Sequence, residues 1–373
     1  MFSNEGLIDL EKILKEKYNY TFTSLEDLSK QPFVEIEGYG VDALLWITID
    51  NERFLFKPLK KAKYEVWGEL LCEKIAEELG IYCAEYRAVK LGNIKGVLSK
   101  DFLKNDERLM VGSEVLQDFF INYPYYKKDE DDPIFEETFS NLYQIPKEYK
   151  KLDKYQQMKK IFKHLNNIQD IWCILETLIK NKETVSNIVN VLLSHFVFDC
   201  ITLQGDRHPN NWGIISDGEH LKPAPLFDNS SALGLGYPNI EERINNLRSA
   251  AMSVRYSGYD QVNNLIYQSG ASFTLKNPFM NNSEYKLKQT VLDTFTDLIG
   301  DSESELVKNI YKQLNSLDED TIERLIIKVE EENGIKMPSE LHFYITFILD
   351  YNINNLKKII QEKRKDDIDD RTR

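Results

Sequence analysis

The 373 residues are 42% hydrophobic and 12% aromatic, enough apolar surface for a large core in two domains or in one domain of two lobes, and too much for a disordered chain. A formal net charge of −14 disfavours non-specific binding to nucleic acid or to an anionic membrane, because like charge repels over about a Debye length. Cys72, Cys83, Cys173 and Cys200 stand apart with no Cys-x-x-Cys pair, which suits reduced thiols better than a disulfide frame or a zinc site.

The start, MFSNEGLIDLEKILKEKY, carries acids and lysines where a signal peptide needs an apolar run, and no apolar run approaches the ~20 residues of a membrane span. The expected compartment is therefore the cytoplasm. Leu7, Leu10, Ile13 and Leu14 recur at helical spacing, predicting a helix over 6–18. Gly38-Tyr39-Gly40 reads as a flexible loop. VDALLWITI and RFLFK, flanking Asp50-Asn51-Glu52, predict a hairpin over about 41–57. The lysines at 57–63 are the best local basic patch. Residues 64–79 place Val66, Leu70, Ile75 and Leu79 on one helical face, and Gly80 supplies the stop. CAEYRAVKL and IKGVLSKDF then predict a second strand pair turning at Gly92-Asn93.

After about residue 104 helices are expected, interrupted by an exposed loop at NYPYYKKDEDDPIFEE. Helical patterns cover 154–181 and 183–203, the latter turning Val185, Ile188, Leu192, Phe196 and Leu203 towards a core. It leads into LQGDRHPNN. WGII and LKPAPLF predict a short hairpin ending at Asp228, with SDGEH as its turn. Residues 229–280 are rich in Gly, Ser and Asn, and three or four amphipathic helices fill about 285–366.

Transfer of a phosphoryl group from ATP needs a carboxylate at the acceptor hydroxyl, oxygen ligands for Mg²⁺, and a cation on the nucleotide phosphates. Asp206 precedes Asn211 by five positions, the offset between the acid and the metal-binding amide in kinase catalytic loops. An acid that merely caps a turn and pairs with Arg207 would give the same spacing. Asn211 and Asp228, bracketing one hairpin, offer the hard oxygen donors that Mg²⁺ takes. Lys57 ends the strand RFLFK, and Glu69 on the next helix could hold its ammonium as a fixed point charge; Glu65, one turn earlier, is the competing partner.

The order GDRHPNN, apolar strand, turn, PLFDNSSALG resembles the catalytic and metal loops of the HipA-like kinases, especially the smaller CtkA-type serine/threonine kinases, and those of phosphatidylinositol 3- and 4-kinases. Arg and His follow the acid here, where conventional protein kinases place them before it. The resemblance is strong over 195–235, looser over 38–104, and not discernible in the C-terminal helices. It implies that Asp206 is the catalytic base or hydroxyl-orienting group and that Asn211 and Asp228 are the Mg²⁺ ligands. His208 either stabilises the transferring phosphate or braces the loop, and Arg207 orders the loop. Lys57, held by Glu69, would contact the phosphates of ATP. Gly38 and Gly40 could cover those phosphates, although the full Gly-x-Gly-x-x-Gly pattern is absent. VLSKDF, with Lys100, Asp101 and Phe102, is either the hinge that reads adenine or a plain interlobe linker.

The expected fold is α+β, a bilobal protein-kinase-like chain with a small lobe over 1–104 and a helical lobe over 105–373. The expected function is ATP- and Mg²⁺-dependent phosphorylation of Ser or Thr on a protein, with autophosphorylation possible in principle. A lipid or small-molecule kinase and a catalytically silent nucleotide-binding module are the alternatives. Only one helix precedes the Gly38 strand, leaving no room for the extra N-terminal subdomain of the toxin-type relatives. Neither an antitoxin nor operator DNA is carried over as a partner, and no membrane or nucleic-acid partner is expected.

Overall fold

The computed structural model describes residues 7–21, 28–37, 44–59, 64–116, 166–236, 239–252, 295–296, 298–299 and 305–372. Gly38, Gly40 and the acidic loop at 122–137 lie outside these residues. In chain order the first part runs β1 (Ile8–Asp9), α1 (Leu10–Tyr18), β2 (Val34–Glu37), β3 (Leu44–Ile49), β4 (Glu52–Pro58), α2 (Glu65–Glu78), β5 (Tyr86–Leu91) and β6 (Ile94–Lys100). These strands form one sheet in the order β1-β5-β6-β4-β3-β2, antiparallel except where β1 joins β5.

The first helix starts later than its periodicity predicts. Ile8 and Asp9 pair with Val89 and Lys90, and the Asp9 carboxylate accepts from the Lys12 N–H at 3.2 Å, so the helix begins at Leu10. The β3–β4 hairpin turns on Asp50 and Asn51, both left-handed at φ 52° and 65°, as a two-residue turn that matches strand twist requires. Gly80, at φ 70°, closes α2: its N–H reaches the Glu77 carbonyl and the Ile81 N–H reaches Ala76.

The sheet has two apolar faces. Leu45, Ile47, Phe56, Val89, Leu91 and Leu98 pack with Leu10 and Leu14 of α1. Tyr86, Ala88 and Val97 pack on α2, the period-two alternation sending neighbours to opposite sides. The predicted apolar face of α2 is too narrow. Every residue from Val66 to Ala76 is buried, because α2 lies between the sheet and the C-terminal helices.

The second part contains β7 (Arg108–Val111), α3 (Ile168–Leu178), α4 (Lys182–Thr202), β8 (Gly213–Ser216), β9 (Leu221–Pro223), α5 (Ile240–Met252), α6 (Glu305–Ser316), α7 (Glu319–Asn333) and α8 (Ser339–Thr372). The expectation of helices directly after residue 104 is corrected here, since β7 pairs with β8 and turns the predicted hairpin into a three-stranded sheet. The predicted strand to Asp228 stops at Pro223. Residues 224–227 instead cross to the first part, where the Leu226 N–H donates to the Tyr82 carbonyl at 2.8 Å and its carbonyl accepts from the Ala84 N–H at 2.9 Å. The Gly-, Ser- and Asn-rich stretch after 229 contains α5. By length and composition α4 could cross a bilayer, contrary to the reading of its apolar run. Yet 61% of its apolar window is buried inside the protein, and Val185, Ile188, Val189, Leu192 and Phe196 line the core.

Candidate active site

The loop between α4 and β8 is shaped by two residues, Leu203 and Arg207. Leu203 ends α4 in the left-handed conformation at φ 53°, and the Gln204 N–H bonds the Asp199 carbonyl, so the chain reverses sharply. Arg207 is 1% exposed and every N–H of its guanidinium is directed inward. Two groups of the fork hold the Asp199 carboxylate, with the shortest contact at 2.8 Å; the others reach Asn229 Oδ1, the Asn211 carbonyl and the Phe227 carbonyl. A planar five-donor fork can tie α4, the 206–211 loop and the 227–229 loop together; a lysine could not. Burial pushes the Asp199 carboxyl up, and the guanidinium beside it pulls it back down only in part.

Asp206 and His208 stand on the open side of this knot. Their side chains are 55% and 45% exposed, with His208 Nε2 4.0 Å from Asp206 Oδ1. Burial, with the charge of Asp228 added, raises the Asp206 carboxyl above its usual range, against the pull of His208 and Arg207. The other ring nitrogen of His208 accepts from the Asn210 N–H at 3.2 Å, starting the 3₁₀ turn Pro209–Asn211. Asn211 is buried, and its Nδ2 donates to the Asp206 carbonyl at 2.7 Å, which leaves Oδ1 as the atom available to a cation.

Lys57, on β4, points across to α2 and to the 227–229 loop. Its Nζ lies 3.2 Å from Glu69 Oε1 and 3.3 Å from Asp228 Oδ1. Glu69 is 2% exposed, and its second oxygen accepts from the Asn229 N–H at 2.7 Å. The carboxylate that reaches Lys57 from α2 is thus that of Glu69, the partner preferred over Glu65, and Asp228 adds a second. Gly68 permits the approach, since a Cβ there would come within 2.9 Å of the Asn229 and Ser230 carbonyls. Burial opposes the charge on Lys57, but Glu69 and Asp228 together outweigh it and hold the ammonium above its ordinary range. For Asp228 burial is likewise outweighed, chiefly by Lys57, and the carboxyl is lowered; Glu69, wholly enclosed, is raised.

One ammonium therefore serves two carboxylates, and the local excess is negative. Asp228 and Asn211 supply hard oxygens beside that excess, a donor set that suits Mg²⁺, which keeps several waters and takes one or two protein carboxylates plus phosphate. Groups of three or more His, Cys, Asp or Glu able to hold a metal without such help are absent among the described residues.

The segment 100–102 has a different geometry. Lys100 Nζ pairs with Glu52 at 2.7 Å, Asp101 meets Arg53 and the Leu103 N–H, and the Phe102 ring stacks on Phe227 at 6.0 Å beside Asp228. Several residues that build the site escaped the sequence reading: Asp199, Gln204, Tyr86, Asn229 and Asn166. Asn166 donates to the Arg207 carbonyl and accepts from the Trp212 indole, each at 2.7 Å. Asp199 had a signal, being an acid on the apolar run HFVFDCIT that fills the core. The others are ordinary polar residues, most of whose partners are distant in sequence; Gln204 also bonds the Asp206 N–H two residues on.

The family model of the HipA-like C-terminal domain matches residues 34–294. Among curated proteins nothing matches. Among solved structures the chain is similar to the Helicobacter pylori proinflammatory kinase CtkA, with a TM-score of 0.58 at 17% identity over 89% of this chain and 96% of that one. It is also similar to HipA of Shewanella oneidensis MR-1, solved with HipB and operator DNA, at a TM-score of 0.46 and 13% identity over 97% and 74% of the two chains; a likeness of that size carries no argument. The CtkA likeness shows a shared kinase-like α+β fold. Because the family model spans well over half of the chain, and both loops of the site fall inside it, the protein belongs to the HipA-like C-terminal domain family.

Proposed function

We propose that this protein is an ATP- and Mg²⁺-dependent serine/threonine protein kinase. The observation that carries the reading is the meeting of Lys57, Glu69 and Asp228, brought from β4, α2 and the loop after β9 to contacts of 3.2 and 3.3 Å, beside the loop that bears Asp206 and Asn211. Phosphoryl transfer asks the protein mainly to position its reactants and to place charge around them, and these residue types in this arrangement suit that task.

In the proposed reaction Lys57, fixed by Glu69, holds the nucleotide phosphates. Mg²⁺ held by Asn211 and Asp228 would neutralise charge on the phosphoryl group. Asp206 orients the acceptor hydroxyl and takes its proton as the new O–P bond forms; the bond to the bridging oxygen breaks and ADP leaves. The raised carboxyl of Asp206 fits a proton acceptor better than an ordinary aspartate would. His208, whose Nε2 lies 4.0 Å from Asp206, is proposed to meet the transferring phosphate, while its Nδ1 braces the loop by accepting from the Asn210 N–H. Within 100–102 the Phe102 backbone is the proposed adenine contact, since the side chains and N–H groups of Lys100 and Asp101 are engaged elsewhere; Gly38 and Gly40 are proposed to cover the phosphates. The open setting of Asp206 supports a protein acceptor.

The test is label transfer from ATP in Mg²⁺ to a cell lysate, with labelled species identified by mass, alongside calorimetry for nucleotide binding. The expected outcome is phosphoserine or phosphothreonine. Asp206→Asn should lower transfer by at least ~10²-fold, the loss typical of removing a positioned acid–base group, with Mg-ATP affinity nearly unaltered. Unchanged transfer in that variant would remove the role given to Asp206. Labelled lipid or metabolite instead of protein would move the acceptor class, and ATP binding without transfer to anything would make this a silent module.

A further inference from the structure

Asp228 stands in the left-handed region at φ 56°, a conformation that a non-glycine residue keeps only when its surroundings over-determine it. Its peptide groups are held at both ends by side chains. The Asp228 N–H donates to the Tyr86 hydroxyl at 3.1 Å, and the Asp228 carbonyl accepts from Gln204 Nε2 at 3.2 Å. Tyr86 comes from β5 in the first sheet and Gln204 from the turn after α4, so the two grips come from the two parts of the chain. Both side chains are buried, at 1% and 2% exposure. Gln204 does a second thing: its Oε1 accepts from the Asp206 N–H at 3.1 Å, so a single amide joins the peptide of the acid to the peptide of the metal ligand. The Lys57 ammonium also lies 6.0 Å from the centre of the Tyr86 ring.

We infer that Tyr86 and Gln204 are positioning residues for the metal step: they clamp the Asp228 peptide in its left-handed conformation and thereby set where its carboxylate points, with Gln204 keeping that carboxylate in register with Asp206. The inference rests on the reading of Asp228 as a Mg²⁺ ligand. A hydrogen-bonded pair that only filled the core would affect stability and leave the metal requirement alone. A pair that aims a ligand acts on the metal first, because the carboxylate loses its preset direction while Lys57 keeps its anchor on Glu69 for the phosphates.

The test uses the full chain with Tyr86→Phe, which removes one hydroxyl, and Gln204→Met, which keeps shape and loses both hydrogen bonds. Each is titrated with ATP by calorimetry in EDTA and in Mg²⁺, and the Mg²⁺ dependence of label transfer is recorded. Metal-free ATP affinity should stay within about twofold, whereas the Mg²⁺ concentration for half-maximal transfer should rise on the order of tenfold, as when a residue that orients a metal ligand is removed. A wild-type Mg²⁺ requirement in both variants would overturn the clamp, and so would an equal loss of metal-free ATP binding. If Gln204→Met does not fold, Tyr86→Phe decides by the same two readings. A wild-type chain whose ATP binding ignores Mg²⁺ would instead remove the metal-ligand reading of Asp228, a result distinguishable from altered variants because it appears before any substitution is made.

Discussion

His195 on α4 is enclosed, and neither ring nitrogen has a partner among the described residues. Burial, with the Arg207 charge adding to it, pushes its pKa down to about 3. In the unfolded chain the same ring takes a proton near pH ~6.5. Its contribution to stability is therefore whole above that value and is lost as pH falls towards the folded value, because the unfolded state gains a proton that the folded state refuses. His195→Leu should remove that part of the acid sensitivity. Denaturant melts of both proteins at a series of pH values would check it; the stability gap between variant and wild type should swing in favour of the variant as pH drops below ~6.5, and a gap independent of pH would contradict the assignment. The trio of Lys57, Glu69 and Asp228 obeys the same electrostatic logic with the opposite result. There the burial of each charge is tolerated because an opposite charge lies within 3.3 Å.

At the scale of elements, α2 is the piece on which the site depends, because it carries Glu69 and is held from two sides. The Tyr86 N–H, on the part of β5 that β1 does not cover, donates to Glu73 of α2 at 2.7 Å, and the Ala88 N–H donates to Asn333 at the end of α7 at 2.8 Å. Along the same seam Lys74 pairs with Glu332 at 2.8 Å, Lys328 with Glu77 at 2.9 Å and Arg324 with Glu78 at 2.9 Å. The last two pairs are exposed and contribute little. Lys74 and Asn333 are buried, and they matter more. Asn333→Leu should cost about 1–3 kcal/mol, the penalty of leaving the buried Ala88 N–H without an acceptor, whereas Lys328→Ala should stay within ~0.5 kcal/mol. Thermal or urea melts would separate them, and equal losses would mean that the seam is held by its charges. This seam was not legible in the sequence. Each of its contacts joins residues more than two hundred positions apart, apart from the Glu73 bond, and α7 shows only a polar amphipathic pattern of its own.

Across the whole molecule the apolar core does not stop near residue 104. Trp67, Leu71 and Ile75 of α2 belong to one cluster with Phe196 of α4, Ile326 of α7 and Tyr344 and Ile348 of α8, while the smaller cluster under α1 stays within the first sheet. The two lobes expected over 1–104 and 105–373 thus share their principal core. A fragment of residues 1–104 would expose the outer face of α2, where burial of a single large apolar side chain is worth about 1.5–3 kcal/mol. The fragment should show no cooperative thermal transition, and the intact chain should melt in one step with both lobes losing structure together. Calorimetry on each would decide the matter, and an independent cooperative melt of the fragment would show that the shared core is dispensable to the first lobe.

Local chemistry was enough to reveal the elements whose signals lie within a few residues: the Asp50-Asn51 turn, α2 with its Gly80 stop, the β5–β6 pair and the length of α4. The spacing of Asp206, Asn211 and Asp228 was visible as a loop pattern, but by itself it fitted a capped turn equally well, and the roles proposed for these residues rested on the resemblance to the HipA-like kinases. What only the tertiary structure decided depends on contacts that no local pattern encodes. Four residues of β7 become a strand because β8, a hundred positions later, offers its edge. Asp228 is turned by Tyr86 and Gln204, Arg207 is anchored by Asp199, and α2 is enclosed by helices from the far end of the chain. Side-chain periodicity reports which face of an element is apolar, but the partner that covers that face, and the direction in which it aims a carboxylate, follow from how the whole chain closes on one core.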